Sequence, residues 1–144
     1  MTQQKKTPML LSWHEEFEQQ KEIIDEQHRA ILASINSIHY LFLKGEDNNL
    51  IKHLMMLYSQ LQIHFKTELL ILGQHESPLI NEYEQQAKDF LDGLLDICEV
   101  KNLDHQTQEL FEQFKNWWQN HLALHQQITP YLFKWDGDFC RVVA

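Results

Sequence analysis

The sequence predicts an all-α protein: an antiparallel up-down-up-down four-helix bundle with an N-terminal arm and a C-terminal capping tail. Three observations predict it. Four long stretches repeat apolar side chains at spacings of three and four, the pattern of a helix with one buried face. The breaks between them are short and polar, which joins antiparallel neighbours. Four glycines and three prolines in 144 residues, with no repeat or low-complexity stretch, predict a single domain over 1–144 without a long linker.

Residues 1–17 read as an arm, because Pro8 and the dense mix of Met9, Leu10, Leu11 and Trp13 lack a sustained period. The first helix is expected over about 18–44, carried by Ile24, His28, Ile31, Ile35, Ile38 and Phe42. Gly45 and the following Asp47, Asn48 and Asn49 supply its break. A second helix over about 49–73 buries Leu50, Leu54, Leu57, Leu61, His64, Glu68 and Ile71, with His75 on the same face. Ser77 as N-cap and Pro78 at the first helical position open a third, about 78–99, whose stripe is Tyr83, Ala87, Phe90 or Leu91, Leu94 and Cys98. Asn102 or Asp104 opens the fourth, about 104–128, with Leu110, Phe114, Trp117, His121, Leu124 or His125 and Ile128 inward. Pro130 is expected to end it, and the tail 130–144, with Phe133, Trp135 and Phe139, to cover one end of the bundle.

Twelve basic against 21 acidic residues give a net charge of -9, scattered as on solvated helix faces, which disfavours nucleic acid as a partner. No apolar run approaches the roughly 18 residues that cross a bilayer, so no membrane association is expected. The polar start Met1-Thr2-Gln3-Gln4-Lys5-Lys6 is not followed by a secretory apolar core, so the expected location is cytoplasmic. Cys98 and Cys140 are too far apart in sequence for a metal-type pair and are expected as reduced thiols. There is no Gly-rich phosphate loop, no cysteine with a recognisable base and no serine nucleophile elbow, so the chain does not read as an enzyme. The sequence specifies no protein partner, although the tail aromatics offer an interface if they do not cap the bundle.

The second helix holds the informative anomaly. Glu68 lies where leucine is expected, and taking an unpaired carboxylate out of water costs several kcal/mol, a large part of the roughly 5–15 kcal/mol that stabilises a domain. A metal ion shared by His64 and Glu68, four residues apart on one helix face, is a candidate compensation. Of the nine histidines, His14, His39, His53 and His105 fall at element ends or off the stripes. His28, His64 and His121 lie on the apolar stripes of three different helices, from which their side chains can converge.

With these residues the sequence resembles the hemerythrins, four-helix bundles that hold a non-heme di-iron centre and bind oxygen reversibly, and it does so over nearly the whole chain. Trp13, then Ile23-Ile24-Asp25-Glu26-Gln27-His28 and Ile35-Asn36, is similar to the first family motif. His64-Phe65-Lys66-Thr67-Glu68 matches the second, in which the histidine binds one iron and the glutamate bridges both. Trp117-Trp118-Gln119-Asn120-His121-Leu122 resembles the fourth-helix motif. The resemblance implies His28, His64, Glu68 and His121 as metal ligands.

The departures are equally specific. With Phe90 as the aromatic that closes the third motif, the two histidines expected on the third helix fall on Tyr83 and Ala87, and the bridging aspartate falls on Gln126. In the family pattern the surviving His28, His64 and Glu68 serve one iron, so one half-site is kept. Two imidazoles and a carboxylate with open positions suit non-heme Fe(II), and with His121 as fourth donor the set also suits tetrahedral Zn(II). The expected function is therefore a metal-binding protein with a degenerate site, holding one non-heme Fe or Zn, in sensing, metal handling or a redox role. Two alternatives stay open. One is a di-iron carrier or sensor of dioxygen that recruits His125, Tyr83 or Gln126, since His75 lies two turns from Glu68; the other is a metal-free bundle for protein interaction. Trp118 stands where the family tends to have a smaller aliphatic beside the oxygen pocket, which predicts a tighter pocket. A ferritin-like site is disfavoured because only Asp25-Glu26-Gln27-His28 approximates the Glu-x-x-His pair it needs twice.

Overall fold

The computed structural model describes residues 9–19, 22–45, 49–74, 76–99 and 107–133. Among them all regular structure is helical: a 3-10 turn Glu15–Phe17 followed by α1 (Glu22–Leu43), α2 (Leu50–Gln74), α3 (Ile80–Glu99) and α4 (Thr107–Phe133). Paired side chains fix the directions. Gln27 meets Thr67 while Ser34 meets Gln60, so α1 and α2 run antiparallel. Phe90 stacks on Trp117 and Tyr83 faces His121, which makes α3 and α4 antiparallel. His64 meets His121 and Glu68 meets His125, so α2 and α4 are parallel, as in an up-down-up-down bundle.

The apolar stripes become the core. Ile24, Ile31, Ile35 and Ile38 of α1 face Leu50, Leu54, Leu57, Leu61 and Ile71 of α2, all essentially without solvent exposure. From α3 come Tyr83, Ala87, Phe90, Leu94 and Ile97, and from α4 Leu110, Phe114, Trp117, Leu124 and Ile128. Leu91 and Cys98 are only partly buried, so of the two α3 registers Phe90 is the inward one. His75, Asn102, Asp104, His105, Trp135, Phe139 and Cys140 lie outside the described residues.

The ends of the helices follow from local chemistry. Gly45 takes φ 73° where α1 stops, a left-handed conformation natural to glycine, and its amide donates to the Phe42 carbonyl at 3.0 Å. After α2, Glu76 accepts the same region at φ 51° and the Ser77 amide reaches back to the Leu72 carbonyl at 3.0 Å. Ser77 then caps the turn that leads into α3, its Oγ accepting the Leu79 amide at 3.1 Å.

Several boundaries differ from expectation: Pro78 lies in the turn that Ser77 caps, and α3 begins only at Ile80. Pro130 does not end the last helix; α4 continues to Phe133. Proline withholds one amide from the carbonyl four residues back, here Gln126. Both Gln126 and Pro130 are exposed, so water can take that carbonyl's bond, and the break costs little three residues from the helix end. The first helix likewise begins at Glu22, later than the expected 18.

The arm is tied across α1. Asn36 holds Leu11 from both sides, accepting its amide at 2.9 Å and donating to its carbonyl at 2.7 Å. Arg29 lies over the Trp13 ring at 4.7 Å and pairs with Glu18 at 2.8 Å. Asn36→Ala removes both partners of a half-buried backbone and is expected to cost about 1–3 kcal/mol. Hydrogen exchange at the Leu11 amide, accelerated far more than that of the core, checks it.

Candidate metal centre

α2 supplies the centre's base. His64 and Glu68, one turn apart, both point inward with no exposure, and the His64 Nε2 lies against the Glu68 Oε1. α1 brings His28 from one side, with its Nε2 3.7 Å from that carboxylate oxygen, and α4 brings His121 from the other at 3.3 Å. The three Nε2 atoms form a triangle with edges of 3.0, 3.1 and 3.1 Å. The sequence-predicted set of His28, His64, Glu68 and His121 is thus brought to one interior point.

A fifth group joins it. His125, fully buried, reaches Glu68 with its Nε2 3.0 Å from Oε1 and 2.8 Å from Oε2. Donor atoms from all five residues lie within 4.8 Å of one another. The α4 stripe leaves Leu124 and His125 as alternatives at one position; both are buried. The signal available was the spacing from His121 to His125, the same one-turn step as His64 to Glu68. Gln126, by contrast, is exposed and contributes nothing. Of the off-stripe histidines, His14 rests on Phe17 and His39 on Phe111, away from the cluster.

A hydrogen-bond relay places a proton on His64 Nδ1. Thr67 Oγ1 donates to the Ile63 carbonyl at 2.8 Å and accepts the Gln27 side-chain amide at 3.2 Å. Gln27 therefore turns its Oε1 to His64, whose Nδ1–H donates at 2.8 Å. A neutral imidazole with its proton on Nδ1 has a bare lone pair on Nε2. Support of this kind from behind orients metal-binding histidines.

With His64 neutral, hydrogen bonds cannot satisfy every edge of the triangle. With His64 Nε2 a lone pair, protons for all three edges would have to come from His28 and His121, and one N–H cannot point along two edges. A cation at the centre satisfies all of the lone pairs together. Electrostatics favours the ligand-ready forms of His28, His121 and Glu68. Burial lowers the His28 pKa well below the usual value, reinforced by the neighbouring His64, and burial pushes His121 down to about 3. Burial opposes ionisation of Glu68, but His125 and His64 outweigh it and hold the carboxyl well below the usual range. Neutral imidazoles and an ionised carboxylate are the species that metals bind.

Aromatic rings wall the cluster. Trp117 stacks on His121 with centroids 5.0 Å apart, and Trp118 stands edge-on to His28 at 5.2 Å. Trp118 is 2% exposed and also packs on Phe17 of the arm, so the indole fills space beside His28. Tyr83, 1% exposed, faces His121 at 6.0 Å, with the Glu68 carboxylate as the polar neighbour of its hydroxyl. Burial and then the Glu68 charge raise its pKa well above the usual phenol value. Ala87, at the other position where a histidine was expected, is buried and offers no donor.

These features define a class: an all-helical bundle with a buried cluster of four histidines and one glutamate that can hold a metal ion. No protein-family model, curated protein or solved structure matches the chain. Among the described residues, no helix is long and apolar enough to cross a membrane.

Proposed function

We propose that this chain is a cytoplasmic, hemerythrin-like metal-binding protein that holds one non-heme ion, iron in the first place, in a sensing, metal-handling or redox role and not as an enzyme. The observation that carries it is the histidine triangle. Nitrogens of a tetrahedral zinc site, at about 2.0–2.1 Å from the ion, stand about 3.3–3.4 Å apart, whereas adjacent corners of an octahedron of that size are about 3.0 Å apart. Edges of 3.0–3.1 Å lie close to both spacings and bring the three nitrogens into one face that a single ion can share. Such a face with a carboxylate suits non-heme Fe(II). Glu68 and His125 supply the next two donors, and the 4.8 Å limit on donor separations is close to the about 4.2 Å between opposite corners.

All five donors close around one point, and Tyr83 and Ala87 replace the imidazoles that a second iron would take. Dioxygen carriage in the family manner needs two irons to supply two electrons, so it is not part of this proposal. The role of the ion, when bound, is that of a redox or Lewis-acid centre; the residues' part is to hold it, orient it through the Gln27–Thr67 relay, and exclude water with Trp117 and Trp118. Metal analysis of the protein as isolated should find close to one equivalent of iron per chain. Two equivalents, with the visible absorption of a bridged pair, would replace this reading by a dinuclear one. Zinc in place of iron would keep the site and change its role, and metal-free protein from a metal-replete culture would end the proposal.

A further inference from the structure

Resting on the one-ion reading, we propose that the N-terminal arm is the gate through which the ion enters and leaves the centre, with Phe17 as its plug and Asn36, Arg29 and Gln19 as its latches. The centre is sealed, since all five donor residues are buried, and no ion reaches them unless part of the wall moves. The aromatic rings against the donors, Phe65, Tyr83, Trp117 and Trp118, are themselves buried and belong to helices. Behind Trp118, edge-on at 5.5 Å, stands the half-buried Phe17, which belongs to the arm. The seam it covers is the loosest in the bundle: the backbones of α1 and α2, and of α2 and α3, approach closely, whereas those of α1 and α4 hardly do. Gln19 bridges that seam where helix packing does not. Its amide donates to Asp25 Oδ1 of α1 at 2.7 Å, and its Oε1 lies 2.8 Å from Thr129 Oγ1 of α4.

The latches are of a kind that opens. No residue from 9 to 19 is fully buried, and the only regular structure among them is the single turn Glu15–Phe17. Asn36 grips one backbone position, Leu11, and the pair of Arg29 with Glu18 is about half exposed and so holds weakly. A segment with few buried contacts and exposed hydrogen bonds opens locally while the core stays folded. When the arm lifts, Trp118 loses the ring behind it and is free to turn out of the seam, which uncovers His28. The exposed Glu15, Glu16 and Glu22 at this doorway raise the local concentration of a cation.

The test loads the full chain with ferrous iron in the absence of oxygen and follows its extraction by excess ferrozine, whose iron complex is coloured. Asn36→Ala should speed extraction and loading alike by about tenfold and leave the affinity unchanged, because both directions pass through one opening. Phe17→Ala should act in the same direction, as should Arg29→Ala, an exposed position whose loss leaves the core intact. Ser34→Ala, which loosens α1 against α2 away from the arm, should leave both rates as they are in the unaltered protein. Across these variants the rates should track hydrogen exchange at the Gln19 amide, which Asp25 protects only while the arm is down. Unchanged rates in the three arm variants overturn the inference. Equal acceleration in Ser34→Ala does so too, since it would mark opening of the bundle as a whole, and so does faster extraction with unchanged loading, which would make the arm a stabiliser of the bound state. An ion taken up at rates that ignore the arm ends this inference alone; protein that takes up no ion ends the one-ion reading with it.

Discussion

Glu68→Gln is expected to abolish metal binding while leaving the bundle folded. The substitution keeps the shape of the side chain and removes the one negative charge among five buried donors. Outer partners of metal ligands already cost roughly 10–100-fold in affinity when lost, so removing the sole anionic ligand should exceed about 100-fold. The consequence for stability is larger than for an ordinary core substitution. An ion at 1,000 times its dissociation constant stabilises the folded state by about 4 kcal/mol, which for a chain of this size corresponds to roughly 8–16 °C in Tm. A chelator should therefore lower the Tm of the unaltered protein by that amount and leave Glu68→Gln where it was. Equal chelator responses in the two proteins would mean that the cluster is not the ion's site. Glu68→Ala should be worse than Glu68→Gln in the metal-free state, because it adds a cavity and leaves four imidazoles facing it.

The second large effect is on the pH dependence of the metal-free protein. His28 and His121 have folded-state pKa values depressed below 6.5, His121 to about 3. A depressed histidine binds its proton less well folded than unfolded, so the unfolded state carries more protons between the two pKa values. Stability is then fully present above about pH 6.5 and is lost as pH falls toward 3, at up to about 1.4 kcal/mol per pH unit for each histidine. The depressed Glu68 works in the same direction at lower pH, its contribution lost as pH falls through its folded value. Denaturant titrations of chelator-treated protein from pH 7 to pH 4 should show a steep loss, and His121→Leu should flatten the curve and raise stability at pH 4. A flat profile in the unaltered metal-free protein would contradict the buried, neutral imidazoles.

Much of the bundle and its site is legible in the sequence. The stripes from Ile24 to Ile38 and from Leu50 to Ile71 are periodic because a helix returns to the same face every three or four residues, and each of those positions is buried. The anomaly at Glu68 is equally legible, because an acid on an apolar stripe demands a partner whatever the fold around it. Pro130 is not, because its effect depends on whether the carbonyl it leaves unpaired faces water, which a sequence does not state.

By itself, then, the sequence determined the helices, their buried faces and the inward placing of four side chains that could meet: His28, His64, Glu68 and His121. Local periodicity carries that information, and it needs no knowledge of neighbours. Only the tertiary structure decided that His125 sits inside with Leu124, that Gln126 does not, that Gln27 and Thr67 fix a proton on His64 Nδ1, and that Tyr83 lies within reach of the Glu68 charge. Those facts depend on the rotation of each helix about its own axis and on the side chains it meets from other helices, and the packing of the whole core sets both.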